Sequence, residues 1–195
     1  MRKIISLFAR NYDDDRSVRD EIVPGAEWVI AGEGIPTEKI DGTSCMIREG
    51  KLFKRYDRGP GPKHPNGNPK PEPAGWIQCE DESDPNTGHW PGWMPVGDGP
   101  EDKVFREVDV SHLPDGTYEL VGPKVRSNPY NLVYHFLVSH GNNVIPGNPR
   151  DFASIKQFLG GHRIEGIVWH HSDGRMVKIK ARDFGIVWPW PKGKP

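Results

Sequence analysis

Turn-forming residues interrupt this chain so often that little regular structure longer than a short strand fits between them. Glycine occurs 23 times and proline 20 times in 195 residues. That is below the density at which chains stay disordered, but it breaks long helices repeatedly. With glycine added to the 34% hydrophobic fraction, apolar content falls in the ordinary globular range, so a sizeable core is expected. A chain this short defaults to one domain, 1–195. The expected fold class is α+β, mostly antiparallel β-sheet with few helices.

The turns mark the expected elements. Thr43 to Tyr56 reads as a hairpin turning at Glu49-Gly50, and Ile164–His170 with Arg175–Lys180 as a second, turning at Ser172-Asp173-Gly174. Thr117–Val121 is a short strand stopped by Gly122-Pro123, and Val133–Ser139 is another. Phe184–Trp188 reads as a last strand before Pro189. Asp151–Leu159 is the best helix: Asp151 caps it, Ile155, Phe158 and Leu159 share a face, and Gly160-Gly161 end it. Asn11–Asp20 reads as an exposed, charged connection, and Gly59–Gly75 as irregular. Trp76–Val96 reads as a long loop whose tryptophans pin it to the core rather than stack on bases.

Net charge is −1, so attraction for a polyanion must come from a local patch. The segment from Arg175 supplies one: Lys178, Lys180, Arg182, Lys192 and Lys194 against Asp183. Cys45 and Cys79 make neither a disulfide framework nor a metal spacing, and no histidine spacing indicates structural zinc. A reducing, cytoplasmic setting is expected. The apolar run Ile4–Ala9 is too short for a signal peptide, and no run approaches a membrane span.

Chemistry concentrates in Thr37-Glu38-Lys39-Ile40-Asp41-Gly42. A neutral amine attacks phosphorus and an ammonium does not, so a nucleophilic Lys39 needs a site that lowers its proton affinity, by desolvation or by nearby cations. Lys178 and Lys180 lie two apart in a strand and share a face, with Val177 and Ile179 on the other. They make a phosphate cradle and supply those cations. Glu119 and Glu165 are strand carboxylates able to meet a divalent metal or a ribose hydroxyl. Arg55 and Arg58 end the first hairpin, where arginines could grip a phosphate bidentately or simply form a basic strand end.

The order Lys-x-Asp-Gly, strand Glu119, Glu165-Gly166-Ile167-Val168, Lys178-x-Lys180 resembles the covalent nucleotidyltransferase superfamily of ATP-dependent ligases and mRNA capping enzymes. The resemblance runs from Ile35 to Pro189. Four blocks narrow it: Ile35–Thr43, Gly88-His89-Trp90-Pro91-Gly92-Trp93, Asn128-Pro129-Tyr130 and Ile164–His170 are similar to the vertebrate 5′-3′ RNA ligase family and its phage and bacterial relatives. That implies a ligase-type adenylation domain, ATP-grasp-like, acting on RNA with 5′-phosphate and 3′-hydroxyl ends. It implies ATP as AMP donor with Mg2+ or Mn2+. Lys39 would take AMP in phosphoramide linkage and pass it to the RNA 5′-phosphate, and a 3′-hydroxyl would then displace it.

The resemblance also assigns residues. Glu38 and Ile40 flank the nucleophile in the nucleotide pocket. Glu119 lies near the ribose, and Glu165 near the metal, with Glu119 a second candidate ligand. Lys178 and Lys180 hold the α-phosphate, Arg55 and Arg58 a phosphate or the end being joined. Phe136, ahead of Tyr134 on the same strand face, stacks on adenine. His140-Gly141 falls near that pocket and gains no role. Fifteen residues with three prolines follow Lys180, so no separate closing domain is expected, which argues against a full capping enzyme. A DNA ligase, a guanylyltransferase and a non-catalytic nucleotide sensor on the same fold stay open as alternatives.

Overall fold

The structure is a computed structural model that describes residues 1, 3–59, 70–85 and 87–190. The strands in chain order are β1 Ile5–Ser6, β2 Phe8–Arg10, β3 Val18–Ile22, β4 Ile35–Lys39, β5 Thr43–Arg48, β6 Lys51–Arg58, β7 Ile77–Gln78, β8 Trp90–Pro95, β9 Gly116–Val121, β10 Phe136–Ser139, β11 Gly166–His170 and β12 Met176–Lys180. The helices are α1 Glu27–Ile30, α2 Lys103–Arg106 and α3 Phe152–Gly161. The architecture is α+β and mostly antiparallel. It separates into two compact units: Met1–Lys3 with Gly42–His140, and Ile4–Asp41 with Gly141–Pro195.

The second unit is built on a four-stranded sheet ordered β1-β12-β11-β4. Its β11–β12 hairpin turns where expected, with Gly174 in the left-handed region at φ +90°. Strand alternation sends Ile167, Trp169, Val177 and Ile179 into a core shared with Leu7, Phe8, Ile155 and Leu159. Asp151 caps α3 by accepting from the Ser154 N–H at 2.9 Å. The helix continues through Gly160 and Gly161, which the sequence reading used as its stop. Buried Ile155 and Leu159 anchor the helix to the core, and that packing outweighs the weak helical propensity of two glycines.

Two further sequence readings are corrected in this unit. The charged stretch Asn11–Asp20 is not all exposed connection, because β3 starts at Val18, which is buried and pairs with Arg10 on β2. Phe184–Trp188 forms no strand. Ala181–Phe184 is a single 3-10 turn closed by Gly185 at φ +73°. The Asp183 carboxylate accepts from the Lys180 N–H at 3.0 Å and bends the chain. Phe184, Ile186 and Trp188 then pack on the core without a partner strand. Lys192 and Lys194 lie outside the described residues.

The first unit holds a six-stranded antiparallel sheet, β10-β9-β5-β6-β8-β7. Glu49 and Gly50 both have positive φ, 53° and 69°, as the tight two-residue turn between β5 and β6 requires. Cys45, Ile47, Tyr118 and Leu120 face Phe105 and Val125 in a second core. The Trp76–Val96 reading is corrected: Trp90–Pro95 is strand β8, paired with β6 and β7. Pro91 and Pro95 hid it, since proline is rare inside sheets. Trp76 and Trp93 are buried. Gly92 is required there, because a Cβ would stand 2.2 Å from the Trp76 indole. The irregular reading of Gly59–Gly75 holds for residues 70–75, while residues 60–69 lie outside the described residues. Strand β10 is shorter than expected and starts at Phe136. Tyr134 precedes it in the chain, so alternation does not pair the two aromatics.

Candidate active site

Three strands of the four-stranded sheet put the key charges in line. Gly166 on β11 is in register with Lys39 on β4 and with Lys180 on β12. One step along, Val168 faces Thr37 and Lys178. Residues directly opposite share a face, so Lys39, Lys178 and Lys180 project together, away from the core. Gly166 keeps the strands close. A Cβ there would lie 2.1 Å from the Ile179 carbonyl oxygen and 2.9 Å from Lys180 Cα.

Glu165, just before β11, closes the cluster. Lys39 Nζ donates to its Oε2 at 2.6 Å, and Lys180 Nζ to its Oε1 at 2.9 Å. Burial alone would raise the Glu165 carboxyl, but Lys39 and Lys180 outweigh it and hold it below the usual carboxylate range. Burial, then the Lys180 and Lys39 ammonium groups, pull Lys178 down to about 8. Burial also lowers Lys180, against the pull of Glu165. The sequence reading looked to desolvation or nearby cations to lower the proton affinity of Lys39 and gave Glu165 to the metal. The structure places the Glu165 carboxylate directly against Lys39 as well.

The residues beside Lys39 are fixed by their own contacts. Thr37 is buried and donates its hydroxyl to the Val168 carbonyl at 3.2 Å, with His170 Nε2 at 3.1 Å. Glu38 points to the sheet face opposite Lys39. It accepts from Asn143 Nδ2 at 3.3 Å, and burial raises its carboxyl. Ile40 is half-buried just past β4. Asp41 of the Lys-x-Asp-Gly run accepts from the Trp188 indole N–H at 2.8 Å.

The remaining candidates belong to the first unit. A Cβ on Gly42 would meet the Leu120 carbonyl oxygen at 2.2 Å and Glu119 Cγ at 2.8 Å. The motif glycine is therefore needed where the chain crosses β9. Glu119 Oε2 sits 2.9 Å from His140 Nε2. Phe136 is 44% exposed, an open aromatic face on the edge strand β10. Arg55 donates to the Met1 carbonyl at 2.6 Å and stacks over Trp93. Arg58 lies between Trp76 and Trp90, 4.8 and 5.0 Å from their rings, and donates to the Lys70 carbonyl and to Glu72.

Residues 97–194 match the family model described as RNA ligase 1. RNA ligase 1 of Pongo abelii is 30% identical across 80% of this chain and 69% of its own length. RNA ligase 1 of Mus musculus is 29% identical across 80% of this chain and 68% of its own. The chain belongs to the RNA ligase 1 family. In this member of the RNA ligase 1 family the sequence reading missed two supports of the site. Asp183 is buried, pairs with Arg10 Nη2 at 2.6 Å, and holds the Lys180 backbone. Its position three residues after Lys180 was the available signal, an acid able to cap a turn. The resemblance put His140 near the nucleotide pocket without a role, and nothing local pointed to its partner Glu119, 21 residues away.

Proposed function

We propose that this chain is an ATP-dependent RNA ligase that joins 5′-phosphate and 3′-hydroxyl RNA ends through a lysyl-AMP intermediate. Lys39, deprotonated, attacks the α-phosphorus of ATP: an N–P bond forms, the nitrogen gives up a proton to solvent, the bond to the bridging oxygen breaks, and pyrophosphate leaves. The RNA 5′-phosphate then attacks the same phosphorus and releases Lys39, whose nitrogen takes back a proton, leaving RNA capped by AMP in a 5′-5′ pyrophosphate. The 3′-hydroxyl, losing its proton, attacks the RNA phosphate, and AMP departs. What most supports this is the meeting of Lys39 and Lys180 on the two oxygens of one buried glutamate, at 2.6 and 2.9 Å, with Lys178 alongside. Three half-buried amines around one buried carboxylate leave positive charge uncompensated, and a phosphate is the group that would compensate it.

Lys178 and Lys180 would hold the α-phosphate. As it binds, its oxygens replace Glu165 as the partner of Lys180. Glu119 would meet the ribose and Phe136 would stack on adenine. Glu38 and Ile40 would fix the backbone on either side of the nucleophile. Among the described residues no three His, Cys, Asp or Glu side chains gather in one place. One carboxylate beside a phosphate cradle instead suits Mg2+ or Mn2+, which bind through few carboxylates and substrate phosphates. Glu165 would hold that ion, which when bound would neutralise charge on the phosphate oxygens. Cys45 and Cys79 carry free thiols, in keeping with a reducing, cytoplasmic setting. No described helix is long and apolar enough to cross a membrane.

Intact-mass spectrometry after incubation with ATP and Mg2+ tests the reading. One AMP per chain is expected, absent from Lys39→Ala. Transfer to 5′-phosphorylated RNA should follow. Labelling from GTP alone would indicate a guanylyltransferase, sealing of DNA but not RNA a DNA ligase, and reversible ATP binding with no adduct a sensor.

A further inference from the structure

His140 has no place in the three transfers above, yet it holds one of their residues. Glu119 sits mid-strand in β9, opposite Ser44 on β5 and Val138 on β10. His140 follows β10, and its N–H donates to the Thr117 carbonyl at 3.1 Å, which turns the ring back toward β9. There Nε2 lies 2.9 Å from Glu119 Oε2. His140 Nδ1 is buried with no hydrogen-bond partner. A hydrogen on Nδ1 would be stranded, so the ring carries it on Nε2 and donates it to the carboxylate. On its other side Gly42 leaves Glu119 room, since a Cβ there would lie 2.8 Å from Glu119 Cγ. One carboxylate oxygen is thus taken, and among the described residues the other has no hydrogen-bond partner.

We infer that His140 is a positioning residue that aims the second oxygen of Glu119 at a ribose hydroxyl of the nucleotide and so sets the preference for ribonucleotide over deoxynucleotide. The inference rests on the reading of Glu119 as the ribose contact. Without the His140 N–H the carboxylate turns freely, and a hydroxyl gains little from meeting it. A purely structural histidine would lower the rate with every nucleotide alike.

The test is the rate of enzyme-AMP formation with ATP, 2′-deoxy-ATP and 3′-deoxy-ATP, by intact mass, for wild type, His140→Ala, His140→Gln, His140→Asn and Glu119→Ala, with thermal melting alongside. Wild type should favour ATP over at least one deoxynucleotide. His140→Ala should cut that ratio by on the order of tenfold, the scale of one lost hydrogen bond to a charged group. His140→Gln, whose amide can reach the Nε2 position, should restore most of it. His140→Asn, shorter and folded, should not. If Glu119→Ala collapses the ratio and His140→Ala does not, the role of His140 is overturned while that of Glu119 stands. If Glu119→Ala leaves the ratio unchanged, the ribose reading of Glu119 fails and takes the inference with it. Absence of any adduct from wild type would instead overturn the ligase reading.

Discussion

In the four-stranded sheet, Lys39 and Lys180 reach the two oxygens of one glutamate, and Lys178 stands beside them. In the six-stranded sheet, Arg55 and Arg58 are bonded into their own unit, to backbone carbonyls, a glutamate and three indole rings. Both sets looked alike in sequence: basic residues in strands near a motif lysine. The difference is whether the partners the fold supplies suffice: the lysines share one glutamate, whereas each arginine has acceptors and an indole face of its own. Arg58 gains from its surroundings, since stacking on indoles and accepting carbonyls stabilise a guanidinium. Lys178 and Lys180 do not, because burial and neighbouring ammonium groups work against their charges. Charges that a fold keeps at its own expense point to a ligand, and charges it satisfies point to structure.

The largest expected effect tests that contrast directly. Lys39→Ala should lower enzyme-AMP formation by at least about a thousandfold, the loss typical of a missing nucleophile. Arg58→Ala should keep the rate within about tenfold, yet lower stability to urea by on the order of 2 kcal/mol through lost cation–π and hydrogen bonds. An Arg58→Ala protein that melts normally but forms no adduct would break the comparison and return Arg58 to the phosphate.

Next in size is Gly166→Ala. The added methyl would press on the Ile179 carbonyl at 2.1 Å, and backbone cannot move aside cheaply. Destabilisation of about 3 kcal/mol is expected, the upper range for overpacking, measured by urea unfolding. Adduct formation should fall too, since β11 and β12 must part and carry Lys180 from Lys39. A variant with wild-type stability would show that the strands are not tightly spaced there.

The pH dependence of stability follows from Lys178. Its folded value, about 8, lies below the ordinary lysine value. Below pH 8 the side chain is charged in both folded and unfolded chains, so the full cost of burying it is present. Above about pH 10.5 it is neutral in both and that cost is gone. Its contribution therefore makes stability rise between those limits, by on the order of 3 kcal/mol. Lys178→Met should gain a similar amount at pH 7 and flatten the rise. Urea unfolding at pH 7 and 10 checks both, and a flat wild-type profile would mean the cluster carries no strain.

How far the site could be read from sequence follows from the range of its interactions. The period-2 face of Lys178 and Lys180, the turns at Glu49-Gly50 and Asp173-Gly174, and the Asp151 cap are local, and all were legible. Strand β8 was not, because Pro91 and Pro95 argue against a strand until β6 and β7 are seen on either side of it. Phe184–Trp188 has a strand's composition, and only the Asp183 carboxylate on the Lys180 N–H shows why the chain turns instead. The pairing of Lys39 with Glu165 spans 126 residues, as the His140–Glu119 contact spans 21. Motif order named both glutamates, but which cation or ring each would meet depends on strand register, which composition does not encode.

The smallest effect supplies the background against which the lysine cluster is judged. Gly160 lies in α3, in the same unit as the lysines, with nothing within 4 Å of where a Cβ would be and no left-handed φ. Gly160→Ala should therefore add helix propensity without a clash, stabilising by about 0.5–1 kcal/mol. It alters no charge, so the gain should be equal at pH 7 and pH 10. The gain from Lys178→Met should be present at pH 7 and shrink at pH 10. Combined, the two should add at pH 7, as sites without shared partners do. A Gly160→Ala gain that varied with pH would mean that helix packing, and not the buried ammonium, sets the slope.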